Sequence, residues 1–185
     1  MMLGRRSFVA GTLAVAAGLA LPSRAVTAGV TIRMMSTPDG SAVWFNPVGL
    51  WLPPATTVVW RNGAEQANTH TTTAYHPANG RHSLRIPEAA IPWDSGYLLP
   101  GHSFATTLTV EGVYDYFCRP HEMAGMVGRI VVGRPGGPGA RPFDWFTATH
   151  PDWLPVPLAA QRAFPPVERI LRDKVVRPDS GRQVR

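Results

Sequence analysis

Tyr114-Asp-Tyr-Phe-Cys118-Arg-Pro-His121-Glu-Met-Ala-Gly-Met126-Val-Gly-Arg-Ile-Val-Val132 places the chain's only cysteine between two strand-like runs. A strand ending at Cys118, a loop containing Pro120 and a new strand from about Val127 put a thiolate, an imidazole and a thioether on one short loop. Such a loop supplies three points of a coordination shell, so a fourth donor must come from elsewhere in the chain. Thiolate and thioether select copper, and two imidazoles with one thiolate and a weak axial methionine describe an electron-transfer copper centre.

Outward from that stretch the chain reads as short strands. Val30 to Met35 is a β-branched run followed by the turn Ser36 to Gly40. Val43 to Leu52 is apolar but interrupted by Pro47 and Gly49, which predicts an irregular or edge strand. Thr57 to Asn62 resumes a strand, and the threonine-rich run Asn68 to Tyr75 carries His70 near its start. Residues 76–98, broken by Pro77, Gly80, Pro87, Pro92 and Gly96, form an inserted loop, with a helical turn at Pro87 to Ala90. A loop of that length in a compact domain has a role or covers something. Phe104, Thr106, Leu108 and Val110 alternate, Gly112 turns the chain, and Val113 to Cys118 returns. About seven to eight short strands without amphipathic helices between them predict an all-β, Greek-key β-sandwich.

Three segments follow from composition. Residues 1–25 pair Arg5-Arg6 with the apolar run Ala10 to Leu21 and end on Ser23-Arg24-Ala25, the pattern of a cleaved export signal of twin-arginine type. Residues 26–133 form the metal-binding domain. Beyond Gly133 a Pro/Gly linker leads into a C-terminal extension, residues 134–185, with Phe143, Trp145, Phe146 and Trp153 and one helix expected over roughly Val167 to Val175. So many aromatics predict that the extension lies against the sandwich or a partner. The formal charge of +6 divides as +3, −1 and +4 over these segments, so the folded core is nearly neutral. It lacks the basic and aromatic interleaving of a nucleic-acid binder. Export also makes an unpaired thiol an oxidation liability, which metal ligation removes.

The Cys-x-x-His-x-x-x-x-Met spacing, preceded by Tyr-x-Tyr-Phe and followed by Gly-Met-Val-Gly-x-Ile-Val-Val, resembles the copper loop of the plastocyanin-type cupredoxins, the blue copper proteins. The likeness is dense over residues 112–132 and looser over about 42–75. It implies Cys118 as equatorial thiolate, His121 as an imidazole ligand and Met126 as the axial thioether. The second imidazole is expected on the strand after the Val-x-Trp-x-Asn run, where His70 lies; His76, His82 and His102 compete, and His150 belongs to the extension. Met123 is the alternative axial donor. Asn62 and Asn68 are candidates for hydrogen bonds near the thiolate, and Tyr114 for a structural corner.

The resemblance implies a one-electron carrier and no enzyme, and the export signal of a prokaryotic chain predicts the periplasm or the cell exterior. Electrons pass at the partly exposed edge of His121, within an apolar patch of Pro120, Met123 and Ala124, through transient contacts with redox partners. The mature chain is expected to be a monomer without a membrane span, although an uncleaved signal would anchor it. The alternative reading is a copper storage or delivery module, for which Met34-Met35 is the sequence support; zinc at the same ligands is disfavoured because thioether ligation is unusual for it.

Overall fold

The computed structural model describes residues 29–178, so the expected export segment lies outside the described residues. Nine strands and two short helices are present among them. The strands are β1 (Val30–Ser36), β2 (Val43–Asn46), β3 (Gly49–Leu52), β4 (Thr56–Asn62), β5 (Thr73–Ala74), β6 (Ser103–Leu108), β7 (Gly112–Phe117), β8 (Val127–Val132) and β9 (Val175–Val176). They build a four-stranded sheet in the order β2-β1-β4-β6 and a five-stranded sheet in the order β5-β7-β8-β3-β9. Both sheets are mixed: β1 runs parallel to β4 and β3 parallel to β8, and the other pairs are antiparallel. The irregular run Val43 to Leu52 divides at Pro47-Val48, and β2 and β3 join different sheets.

Alternation explains the inner core. Ile32, Met34, Val58 and Trp60 from one sheet meet Leu50, Tyr114, Tyr116 and Ile130 from the other. The inserted loop closes this core rather than hanging free: Ile86 and Trp93 are buried in it, and the Trp93 ring lies 5.4 Å from that of Trp60. Tyr114 caps the corner as expected, its hydroxyl donating to the Val110 carbonyl at 2.6 Å. Gly128 faces Tyr116 across the β7-β8 register, and any Cβ there would overlap the Tyr116 ring.

Strands β7 and β8 do not alternate in burial; every residue of both is buried. A strand covered on both faces needs a second layer, and the extension is that layer. It contains two helices where the sequence predicted one: α1 (Leu158–Ala163) and α2 (Val167–Asp173). Pro165-Pro166 separates them, because neither the missing amides nor the restricted preceding residue suits a continuous helix. Phe117 and Val127 pack with Ala160, Ala163 and Phe164. Val113 and Val131 pack with Ile170 and Val176. The chain then adds β9 beside β3, a ninth strand that its two-residue length hid from pattern reading.

A buried charge group fastens this layer. The β7-β8 register sets Asp115 opposite Arg129, and both Arg129 (2.6 and 2.9 Å) and Arg85 (3.1 Å) donate to the Asp115 carboxylate. Arg85 also donates to the carbonyls of Pro138, Gly139, Arg141 and Pro142, and Arg129 to that of Pro165. Phe143 and Phe164 lie under the guanidinium groups.

Candidate metal centre

Cys118 follows directly on β7, and the expected loop is a 3₁₀ turn over Arg119–Ala124. Pro120 suits its start, where an amide hydrogen would have no partner. Gly125 ends it in the left-handed region (φ 77°), a conformation that costs a residue with a side chain. The loop is closed by its own backbone. The Cys118 amide donates to the Met126 carbonyl at 3.0 Å, the Met126 amide to the His121 carbonyl at 3.1 Å, and the His121 amide to the Cys118 carbonyl at 3.0 Å.

His70 arrives from the other side. It exchanges two backbone hydrogen bonds with Leu98 at the end of the inserted loop, at 3.2 and 2.8 Å. The buried Asn62 side chain donates to the carbonyls of Asn68 and Leu98, both at 2.9 Å, and so clamps the segments on either side of His70. The Asn68 amide instead reaches Gly40. The group that donates to the Cys118 sulfur is the Thr71 amide, at 3.3 Å. The Thr71 hydroxyl accepts from the Arg119 amide at 2.8 Å, binding the His70 segment to the cysteine loop.

Three donor atoms converge. His70 Nδ1 and His121 Nδ1 are 3.2 Å apart, and Cys118 Sγ lies 3.7 Å from the first and 3.4 Å from the second. A point about 2.0 Å from all three lies between them, a distance that suits metal-to-nitrogen bonds and is slightly short for sulfur. Among the described residues this is the one group of three such side chains near enough to share an ion. Burial pushes the Cys118 thiol up to about 11 and His70 down to about 4, the latter helped by neighbouring His121. Burial also lowers His121. Neutral imidazoles with free lone pairs are ready to bind metal, whereas the thiol must first lose its proton. Met126 is wholly buried in the main core, one residue past Gly125.

The competing histidines lie elsewhere. His76 Nδ1 accepts from the Ala78 amide, His82 packs on Phe117, His102 sits in an exposed turn, and His150 stacks on Trp153. Of the apolar collar, Met123 is 73 % exposed, Pro120 and Ala124 are exposed, and His121 is partly so.

Residues 32–133 match the sequence model of the copper binding proteins of the plastocyanin/azurin family. The chain belongs to that family. Copper is therefore the cofactor of this cupredoxin, and the thiolate and imidazole donors suit it. Its relatives include the pseudoazurin of Methylorubrum extorquens, 27% identical over 135 residues that span 72% of this chain and 80% of the relative. The chloroplastic plastocyanin of Oryza sativa subsp. indica is 30% identical over 135 residues, 66% of this chain and 77% of the relative. The crystal structure of pseudoazurin from Methylobacterium extorquens AM1 shares the fold, with a TM-score of 0.50 at 21% identity over 73% of this cupredoxin and 93% of that chain.

Proposed function

We propose that His70, Cys118, His121 and Met126 hold one copper ion as a type 1 site, and that the protein carries single electrons between redox partners outside the cytoplasm. The observation that carries this reading is the convergence of two Nδ1 atoms and one Sγ within 3.7 Å on segments locked to each other. Copper, when bound, supplies a one-electron couple. The protein's part is rigidity: the Thr71 amide donates to the sulfur, Asn62 fixes the His70 segment, and the closed 3₁₀ loop fixes His121, so the donors change little between oxidation states. Four protein ligands leave no open position for substrate, which supports a carrier rather than an enzyme.

The division into an export signal (residues 1–25), a copper domain (26–133) and an extension (134–185) belongs to the same reading; the family match ends at residue 133, the last residue before the extension. No helix among the described residues is long and apolar enough to cross a membrane. Storage or delivery draws no support from Met34, which is buried in the core rather than offered as a donor.

Cu(II) added to the purified protein is expected to give an intense visible thiolate-to-copper absorption that ascorbate bleaches; a colourless copper complex would end this reading. His70→Ala is expected to weaken or abolish the band and His76→Ala to leave it intact, and the reverse result would reassign the ligand. Because the buried thiol is protonated at neutral pH while His70 is not, copper uptake at pH 7 is expected to release about one proton. A pH indicator in weak buffer reads this directly, and release near zero would mean that Cys118 does not ligate.

A further inference from the structure

Between the sandwich and the extension lies a cavity of about 210 Å³ that the metal site does not use. Arg162 of α1, Arg169 of α2 and Arg177 beyond β9 all line it, and none of the described residues that line it is acidic. Arg169 has Asp173 at 3.6 Å, but among the described residues Arg162 and Arg177 have no ion-pair partner. Its other walls include Trp44, Val127 and Phe164. Trp44 is 7 % exposed, and its buried Nε1–H has no acceptor among the described residues. Native proteins meet an orphaned buried donor with a water, an ion or a ligand.

We propose that this cavity binds a small aromatic carboxylate. Two requirements coincide here. The guanidinium groups of Arg162 and Arg177 call for an anion, and their planar forks match the two oxygens of a carboxylate. The aromatic and aliphatic walls call for a flat apolar body, which Trp44 and Phe164 suit. Size agrees: a dry cavity of about 150 Å³ accepts benzene, so the larger space here has room for a ring and its carboxylate. A free inorganic anion would leave the apolar walls wet, and a neutral ring would leave the charges of Arg162 and Arg177 unmet. The proposal requires no copper, although the cavity also touches Gly125 and Val127 on either side of Met126.

The test uses the full-length protein and benzoate as probe, followed by calorimetry and by the indole N–H resonances in two-dimensional NMR. Benzoate is expected to bind saturably, one per chain, and to move the resonance that Trp44→Phe deletes. Benzamide, which has the same shape without the charge, is expected to bind at least about tenfold more weakly, and Arg162→Gln and Arg177→Gln each to weaken benzoate by roughly tenfold. Both arginines are exposed, so thermal unfolding of these variants reports whether the fold is intact. Absent saturation, equal affinity for benzoate and benzamide, indifference to both arginine substitutions, or binding seen only with a chain that stops at Pro178 would each overturn the proposal.

Discussion

Cys118→Ser protein is expected to lose the visible copper band entirely and to bind copper at least about 100-fold more weakly. The bound on affinity follows from the smaller effect of removing groups that only support a ligand, about 10- to 100-fold; deleting the donor itself costs more. Serine keeps the size of the side chain and the Thr71 amide keeps an acceptor, so the fold should survive the change. Absorption, equilibrium dialysis against Cu(II) and the thermal transition of the apo protein separate the outcomes. A variant that stays blue would remove the thiolate from the centre, and one that fails to fold would mean that the sulfur serves packing.

Asp115→Ala carries the largest expected cost in stability. The carboxylate is wholly buried, as is the Arg85 side chain at 1 % exposure, with Arg129 at 8 %. Removing one member of such a group leaves the others charged and without a counter-ion, at a cost of about 3–5 kcal/mol. For a chain of this length that corresponds to a fall of roughly 6–20 °C in Tm. The extension is expected to loosen with it, because both arginines also hold its carbonyls. Limited proteolysis should then cut between residues 134 and 157 sooner than in the parent. Asp152→Ala, at an exposed position, is expected to change neither result. Equal stability of the Asp115 and Asp152 variants would show that the buried group contributes little.

These two residues also mark what sequence can and cannot convey. Cys118, His121 and Met126 fall within nine residues, so their spacing exposes them at once. His70 lies far away in sequence, and only the order of strands and the family likeness point to it. The Thr71 amide could not be found that way, since a backbone donor carries no side-chain signature and depends on how two distant segments meet. Asn62 and Asn68 were both plausible partners; one clamps the His70 segment and the other turns to Gly40. The run Asn68 to Tyr75, read as a strand, keeps only Thr73–Ala74 in the ladder, because its earlier part turns to the inserted loop, where His70 pairs with Leu98 and the Thr72 carbonyl accepts from the Ser95 amide. Asp115 and Arg129 interrupt otherwise apolar strands. That interruption was a legible sign of pairing on a covered face, but only the register shows that they oppose each other.

The second layer over β7 and β8 has a consequence for traffic. Phe117, next to Cys118 in the chain, and Tyr75 beside it are sealed beneath α1, and His70 and Cys118 have no surface. On the proposed function this leaves His121 as a single doorway: supplier and recipient take turns at one threshold, never standing on opposite sides of the molecule together, and the protein behaves as a ferry rather than a bridge.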